Sequence, residues 1–365
     1  MQSSLLELPR CEGGKAYEVG LTGCYFFVML NLFQHLDDKH SHTVVLFCVF
    51  LKNNRFLLSE GCRKAVNLWK ILCVHNMQTT TYEISRLRDY SSLFSGQTCE
   101  RALRKNSVSV FENVFRKYDS HLCDKITVWD YLRYVYDILE KQYQNEYVVK
   151  NTFLNTLLLE EYSLDSTIAF SEFRVGDAIA DLVLMNGISK AFEIKTELDS
   201  DARLYSQLNE YCQLFDECYI VIPKFQLNYY KQKVDDGIGI VVFEETDGKY
   251  VVTQKRKARR NRKVNVDVLM RSVRCEEYKQ MVMESYGRLP DVNAFEMYEA
   301  CKIKLSKLSS KKLHALFLRT IKRRYSLTQQ LPSFPMETRQ MYLSMSMKQN
   351  QIIKLNRLYN NIISI

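Results

Sequence analysis

The sequence predicts an α/β fold in which a mixed central sheet is flanked by helices, with helical additions at the N-terminal and C-terminal ends. Three observations support this prediction. Apolar residues recur at helical spacing in TVWDYLRYVYDILEKQY (127–143), short runs of strand character follow from 167 onward, and helical spacing returns beyond 264. Strands that alternate with single helices are typical of a compact α/β domain.

Composition indicates a folded, basic protein of a reducing compartment. The 365 residues are 46% hydrophobic and include only 12 glycines and 5 prolines, so we expect a buried core rather than disorder. The formal net charge of +9 is compatible with a polyanionic partner. The 11 cysteines include no CxxC pair and no His/Cys set at zinc spacing, which favours a cytoplasmic location without structural zinc.

The first part of the chain divides into an uncertain segment and a helical region. Two apolar runs within residues 1–76, LTGCYFFVMLNLFQHL and TVVLFCVFL, are short or broken by polar residues and predict a buried pair of elements rather than a membrane hairpin. The high cysteine content of this segment leaves open that it lies outside the functional fold. Met77 would then serve as a later start of the protein chain. Residues 77–144 are predicted to be helical, with Thr127 as the N-cap of one helix.

Residues 145–263 are predicted to form the α/β core. A helix in NEYVVKNTFLNTLLLEEY precedes the strands TIAFSEFRV, AIADLVLM and AFEIK. A helix from about 200 to 215, the strand YIVIP, another helix, and the strands IGIVVFEE and KYVVTQKRK follow. Residues 264–330 are predicted to be a basic helical region with a hinge at Pro290, and residues 331–365 a helical tail that is either docked or loose.

The hairpin in the core carries charges where a buried strand would be apolar. The Asn-Gly pair at 186–187 favours a tight reversal. Because side chains alternate along a strand, the register decides whether Asp181 shares a face with Glu193 and Lys195. A strict two-residue loop separates the two carboxylates, whereas an odd loop such as 185–187 places all three side chains together. The sequence predicts the odd loop.

Asp181 and Glu193 would then lie side by side, where two carboxylates repel unless a cation or proton lies between them. Mg²⁺ or Mn²⁺ is the usual cation for a site of oxygen ligands that keeps several waters. Lys195 could orient a metal-activated water and stabilise charge on a phosphate oxygen, which suits phosphodiester hydrolysis. The alternative for Glu193 and Lys195 is an exposed salt bridge, the commoner use of an E-x-K strand.

The motif and its context favour the first interpretation. D-x11-E-x-K across a turn, followed by a helix with Gln207-x3-Tyr211, resembles the PD-(D/E)XK nuclease superfamily, with Ile179 and Ala180 where the name has proline. The stretch SEFRVGDAIADLVLMNGISKAFEIKTELDSDARLYSQLNEYCQLFDECYIVIP is similar to a family of uncharacterised bacterial proteins in that superfamily, often labelled sce-type, over about residues 145–325. The resemblance implies a restriction-endonuclease-like core.

The resemblance also implies roles for the residues that match the motif. Asp181 and Glu193 would ligate the metal, with the Ile194 carbonyl as a further ligand, and Lys195 would act in catalysis. These roles depend on the three side chains meeting in the fold.

The resemblance implies that the helix after the hairpin adds residues to the site. Gln207 and Tyr211 match a helix motif that faces the site in RecB-like members, and Arg203 falls on the same helix face. Asp199 and Arg203 fit an ion pair at the helix start better than a substrate role.

The superfamily's first helix usually contributes a glutamate. Glu146 is the first candidate and Glu161 the second, although a solvated glutamate at a helix N-terminus explains Glu146 as well. Glu172 and Glu197 fit either a place near the metal or an ordinary surface.

Two stretches concentrate positive charge and are candidates to contact phosphates. The segment from Lys302 to Tyr325 holds nine Lys or Arg and no acid. In KRKARRNRK (255–263) the expected nucleic-acid contacts are Lys255, Arg256, Lys257, Arg259, Arg260, Arg262 and Lys263. A solvated helix face and a basic turn are the alternatives for these two stretches.

The sequence therefore predicts a Mg²⁺-dependent nuclease that acts on DNA and is not a membrane protein. Use in bacterial defence against phages is a further expectation, and a homodimer stays open because many relatives of this fold pair to cut two strands. The alternatives are a catalytically silent nucleic-acid-binding or assembly protein on the same fold, and a defence effector that a partner activates.

Overall fold

A computed structural model describes the chain as two compact units, Met1–Thr80 and Thr81–Ile365. In the first unit it describes the backbone of four strands, and in the second residues 81–364 except 144, 160–161, 198, 247–248 and 262. The strands of the first unit form an antiparallel sheet in sequential order: β1 (Gly14–Leu21), β2 (Cys24–Asn31), β3 (Leu46–Lys52) and β4 (Arg55–Leu57). The burial expected for the two apolar runs lies outside the described residues.

The second unit opens with helices, as the sequence predicts. They are α1 (Ile84–Ser92), α2 (Gly96–Lys105), α3 (Ser109–Tyr118) and α4 (Val128–Gln142), with the short strand β5 (Lys125–Thr127) before α4. The cap at Thr127 is confirmed, because its side chain accepts a hydrogen bond from the backbone N–H of Asp130. Asp119 is fully buried and bonded to Arg86, Tyr90 and Tyr131, which ties α1 and α4 to the end of α3.

A six-stranded mixed sheet flanked by helices forms the centre of this unit, which confirms the predicted α/β class. The sheet order is β11-β10-β9-β8-β7-β6. Its strands are β6 (Ile168–Val175), β7 (Ala178–Asn186), β8 (Ile188–Ile194), β9 (Glu217–Pro223), β10 (Gly239–Thr246) and β11 (Lys249–Arg256). The helix α5 (Glu146–Phe153) precedes these strands, α6 (Leu204–Cys212) lies between β8 and β9, and α7 (Leu227–Lys233) lies between β9 and β10.

Strand direction gives the sheet two distinct edges. β6, β7 and β8 are antiparallel neighbours, whereas β8, β9 and β10 run parallel, and β11 turns back along β10. We call the edge where β8 ends at Ile194 and β9 ends at Pro223 the carboxyl edge, and the opposite edge, where β8 begins at Ile188, the amino edge. All of β9 is buried, because helices cover both faces of the parallel part.

The chain beyond 264 is helical, as the sequence predicts. The helices are α8 (Val266–Ser272), α9 (Cys275–Tyr286), α10 (Met297–Ser306), α11 (Ser310–Lys322), α12 (Arg339–Met345) and α13 (Gln349–Tyr359). The predicted hinge at Pro290 is confirmed, since it lies between α9 and α10. α11 packs against the connection between α6 and β9 through Phe317, which meets Phe215 edge to face with ring centroids 5.8 Å apart.

Of the two alternatives for the tail, the structure shows the docked one. A last strand, β12 (Ile362–Ser364), pairs antiparallel with β5. Tyr359 and Ile363 are fully buried, so the tail closes over the N-terminal helices. Among the described residues, no helix is long and apolar enough to cross a lipid bilayer.

Candidate functional site

The two candidate carboxylates meet on one face of the β7–β8 hairpin. Leu182 pairs with Phe192, and this register places Asp181 opposite Glu193. The turn is centred on Gly187, whose φ is +70°. The odd loop predicted from the sequence is therefore confirmed, although its centre lies one residue later than expected. The structure brings together the two acids that the sequence singled out.

Glu193 is held from two sides. Its side chain is only 3% exposed, and its Oε1 lies 2.9 Å from Nζ of Lys195. Its Oε2 lies 2.7 Å from the hydroxyl of Tyr211, which also lies 2.6 Å from the carbonyl oxygen of Ile179 and can donate its single proton to one of them at a time. Lys195, expected on the same strand face as Glu193, and Tyr211, expected on a helix that faces the site, both contact this carboxylate.

Electrostatics at Glu193 follow from its burial. Burial and the neighbouring Asp181 carboxylate raise the pKa of Glu193, and Lys195 and Tyr211 oppose that shift without cancelling it. Burial and the Glu193 carboxylate likewise raise the pKa of Tyr211 far above its ordinary value. Tyr211 is therefore a fixed hydrogen-bond donor, and the Asp181 carboxylate disfavours the ionised form of Glu193.

Asp181 is bonded to a lysine that sequence reasoning missed. Lys150 Nζ lies 2.7 Å from Asp181 Oδ1 and also forms an ion pair with Glu146, one helical turn earlier on α5. The backbone N–H of Ile194 donates to Asp181 Oδ2 over 2.7 Å. Burial lowers the pKa of Lys150, but the Asp181 and Glu146 carboxylates outweigh it and raise this pKa above its ordinary value. Lys150 is thus a fixed cation at the carboxylate pair.

A signal for Lys150 was present in the sequence. In NEYVVKNTF the lysine interrupts an apolar run, and its neighbours Val148, Val149 and Phe153 are buried on the same helix. A lysine is seldom buried without a charged partner, so its position predicts an acid nearby. The structure also places Glu146, the first candidate for the first-helix acid, at the same ammonium group as Asp181. Glu161, the second candidate, lies outside the described residues.

The ligand atoms at the pair are oxygens, which is the type that a hard divalent cation prefers. Asp181 and Glu193 offer carboxylate oxygens on one face, and the ammonium of Lys150 stands in for a cation at Asp181. Within the described residues, no group of three or more His, Cys, Asp or Glu side chains could hold a metal ion. A site on this pair therefore depends on other oxygen ligands, such as water and the Ile194 carbonyl that the resemblance implies.

An open cleft of about 490 Å³ lies beside the pair. Glu146, Lys150 and Glu172 line it, together with Thr196 and residues of α1, α2 and α12. Glu172 has a φ of +54°, a left-handed conformation that is unusual for a non-glycine residue within a strand. Strained backbone of this kind is often found at functional sites. Asp181 and Glu193 are not among the residues that line the cleft, which reaches the cluster at Glu146 and Lys150.

The remaining motif residues have mixed surroundings. Gln207 hydrogen-bonds Tyr211, and its Oε1 is buried without a hydrogen-bond partner in the described part of the chain. Arg203 is exposed at the N-cap of α6. Asp199 has a different partner from the one expected, since its carboxylate accepts from the N–H and hydroxyl of Thr196, each over 2.8 Å.

Comparison with known proteins identifies a family. The family model described as bacteriophage P4 protein cII matches residues 139–343, more than half of the chain. The chain belongs to the bacteriophage P4 protein cII family. A relative is protein cII of Enterobacteria phage P4, which is 32% identical over 155 residues, or 41% of this chain. The match spans 55% of the length of that relative.

No solved structure matches the chain. The region matched to the cII family contains α5, the hairpin and α6, and thus every residue of the carboxylate cluster. The family description names no activity, so the resemblance to PD-(D/E)XK nucleases stays a prediction.

The basic run 255–263 of this cII-family chain is not brought to the carboxylate pair. Arg256 pairs with Ile240 in the row of the sheet that also holds Ile220 and Glu193, but β9 and β10 separate β11 from β8. Beyond Arg256 the chain continues to the amino edge, where the N–H of Asn261 donates to the carbonyl oxygen of Asp216, the residue before β9. Arg256 and Arg260 form ion pairs with Asp236 and Asp216. The exposed members of the run are Lys255, Lys257, Arg259, Arg260 and Lys263, and Arg262 lies outside the described residues.

The second basic stretch is partly neutralised by acids. Arg319 and Arg323 pair with Glu284, and Arg324 with Glu277. The end of the second stretch therefore fits the alternative given for it above, a solvated helix face with salt bridges, rather than a phosphate contact. The beginning of α11, by contrast, lies beside the first basic run at the amino edge.

Proposed function

We propose that the chain is a metal-dependent nuclease that hydrolyses phosphodiester bonds, with DNA as the expected substrate. The observation that carries this proposal is the meeting of Asp181 and Glu193 on one strand face with Lys195 bonded to the second carboxylate. Acids seldom occupy buried strand positions for stability alone, because isolated buried charge is costly. Their mutual repulsion fits a site prepared for a cation.

Each residue has a defined task in the proposed reaction. Asp181 and Glu193 would hold Mg²⁺ or Mn²⁺, which supplies Lewis acidity and a hydroxide nucleophile when bound. Lys195 would orient the attacking water and stabilise negative charge on a phosphate oxygen. Tyr211 would hold the Glu193 carboxylate whenever it donates to Oε2 rather than to the Ile179 carbonyl, with Oε1 directed toward Lys195.

Glu146, Gln207 and the Ile194 carbonyl are supporting candidates. Glu146 shares an ammonium group with Asp181 and is more than half exposed, so its carboxylate is accessible to water or metal. Gln207 positions Tyr211 and has a buried carbonyl oxygen with capacity to accept a hydrogen bond. Lys150 fixes Asp181 and can contact a phosphate oxygen from the cleft.

A cleavage assay tests the proposal. The purified chain is incubated with single-stranded DNA, duplex DNA and RNA in Mg²⁺, Mn²⁺ or EDTA, beside Lys195→Ala. We expect metal-dependent cleavage by wild type and at least about a hundredfold loss in the variant, as for removal of one charge-stabilising donor. Lys117→Ala is the control, because Lys117 forms a 2.8 Å exposed ion pair with Asp89 on the N-terminal helices. Cleavage that persists in Lys195→Ala, or is absent from wild type on every substrate, would contradict the proposal.

A second candidate function is a nucleic-acid-binding or assembly protein without catalysis. One observation favours it: all four oxygens of the carboxylate pair already have hydrogen-bond donors, including the ammonium of Lys150. The same ion pair suits a silent form that a partner activates. Binding that survives EDTA without cleavage of any substrate would support this candidate over the nuclease.

A further inference from the structure

The two basic stretches of the sequence meet in one cavity at the amino edge of the sheet. A cavity of about 370 Å³ is lined by Arg260 and Lys263 of the first stretch and by Lys311 and His314 of the second. The two stretches lie about 50 residues apart in the sequence, so only the fold brings them together. Asp216 is the one carboxylate among the lining residues, so the cavity carries net positive charge.

A buried carboxylate fixes two of these basic side chains. Asp216 is only 5% exposed, and its Oδ2 lies 2.8 Å from Nε2 of His314. Nε of Arg260 lies 3.3 Å from its Oδ1. The N–H of Ser189 donates to Asp216 Oδ2 over 2.8 Å, which anchors the carboxylate on β8. Burial acts to raise the pKa of Asp216, but the bonds from His314 and Ser189 hold this pKa below its ordinary value. The Asp216 carboxylate therefore stays charged.

This cluster does not have the arrangement of a nucleophilic Ser-His-Asp site. Ser189 is fully buried, and its hydroxyl and the Asp216 carboxylate meet the same nitrogen of His314. A triad needs the acid and the nucleophile on opposite ring nitrogens, with the nucleophile accessible. The cluster therefore positions charge rather than performing covalent chemistry.

The first turn of α11 adds to the positive potential. The helix has 13 residues, begins at Ser310 and is capped by Ser309, so its N-terminal N–H groups lie beside Lys311 at the cavity. Helix N-termini favour anions, and oxygens of phosphate suit both N–H groups and Arg or Lys. The cationic side chains carry the argument, and the helix end strengthens it.

We propose that this cavity binds a backbone phosphate of a nucleic acid, as an anchor distant from the carboxylate pair. Ser189, which is bonded to Asp216 at the cavity, lies four residues before Glu193 on β8, or about 13 Å away. The inference rests on the nucleic-acid substrate of the proposed function, but it does not require hydrolysis.

Binding of labelled DNA to the full chain in EDTA tests the anchor without cleavage. The variant Lys263→Glu/Lys311→Glu reverses two exposed charges at the cavity. The control Lys307→Glu/Lys312→Glu makes the same charge change on neighbouring exposed residues outside it. We expect at least about tenfold weaker binding for the cavity variant and only a small change for the control. The slope of log affinity against log salt should fall by about 0.9 for each phosphate that the variant no longer neutralises.

Equal weakening in both double variants would show a general field effect and overturn the anchor, as would unchanged binding in the cavity variant. Inorganic phosphate distinguishes the source of the anion. If phosphate stabilises wild type but not the cavity variant in thermal unfolding, while DNA binding is equal in both, the cavity takes a free anion and the backbone assignment is wrong. Because all these readouts use EDTA, they are independent of whether the carboxylate pair cleaves DNA.

Discussion

At the residue scale, two lysines from different elements neutralise the buried carboxylates. Lys195 was predictable because it belongs to a motif and is fixed two residues beyond Glu193, directly after β8 ends. Lys150 was not predicted as a partner of Asp181, because no local pattern says which acid a helix will meet across the core. The sequence could have shown only that a lysine on an apolar helix face needs one.

Replacing Lys150 with methionine tests its role as the cation at Asp181. The change leaves Asp181 and Glu146 without their common partner, so the unfolding free energy of the metal-free chain should fall by about 3 kcal/mol. Added Mn²⁺ should raise the melting temperature more in this variant than in wild type, because Mn²⁺ no longer competes with the Lys150 ammonium for Asp181. Thermal unfolding with and without Mn²⁺ measures both effects.

Lys141→Met is the matched control for that change. Lys141 forms an exposed i, i+4 ion pair with Asp137 on α4 at 2.9 Å, and its loss should cost about 0.5 kcal/mol or less. An Mn²⁺ response in Lys150→Met no larger than in wild type would show that the lysine and the metal do not share the carboxylate.

The raised pKa of Glu193 predicts a pH dependence of stability. Burial and Asp181 raise this pKa above 4.5, so the stabilisation from Glu193 is complete below that value and is lost as the pH rises through the folded-state pKa. A pKa difference of one between the folded and the unfolded chain corresponds to about 1.4 kcal/mol. Urea unfolding of the metal-free chain between about pH 4 and pH 8 should therefore show a decline that is absent from Glu193→Gln.

Glu277 provides a control of opposite sign. Burial acts to raise its pKa, but the bonds from Arg324 hold it below 4.5, so its stabilisation is present above that value and is lost in acid. Glu277→Gln should reduce stability at neutral pH and not in acid. A Glu193→Gln variant that behaves like Glu277→Gln would contradict the charge repulsion inferred at the site.

At the element scale, the β7–β8 hairpin sets the geometry of the site. Its odd loop was predictable, because only a loop with an odd number of residues places Asp181 and Glu193 on one face. The centre of the turn at Gly187 was not, since Asn-Gly is compatible with several loop types. Likewise the strand patterns predicted the sheet, but not that the chain after β11 takes the second half of the basic run to the amino edge, where Arg260 meets Asp216.

Substitution of Gly187 tests the turn. Its φ is +70° and nothing lies within 4 Å of where a Cβ would stand, so Gly187→Ala introduces backbone strain without a clash. We expect a loss of about 1 kcal/mol in unfolding free energy. Gly187→Asn should lose less, because asparagine tolerates the left-handed region. Equal stability of glycine, asparagine and alanine in urea unfolding would contradict the turn geometry.

At the scale of the whole molecule, the candidate site and the phosphate anchor belong to one unit. Every residue of both lies within Thr81–Ile365, which is compact by itself. The sequence suggested this division through the different texture of residues 1–76. It could not decide between a docked and a loose tail, because the pairing of β12 with β5 joins segments more than 200 residues apart.

A fragment of residues 81–365 tests this division. Because β12 and α13 close over the N-terminal helices, the fragment should fold cooperatively and retain DNA binding and cleavage. We expect its rate to stay within about threefold of the full chain, or roughly 0.7 kcal/mol in activation free energy. A folded fragment without activity would show that residues 1–80 contribute to the site.

The central claim is that Asp181 and Glu193 together hold a divalent cation for phosphodiester hydrolysis. Calorimetric titration of Mn²⁺ into wild type, Asp181→Asn and Glu193→Gln measures this directly and needs no substrate. We predict one site in wild type and at least tenfold weaker binding, or about 1.4 kcal/mol, in each variant. Mn²⁺ binding that is absent from wild type, or unchanged in both variants, would contradict it.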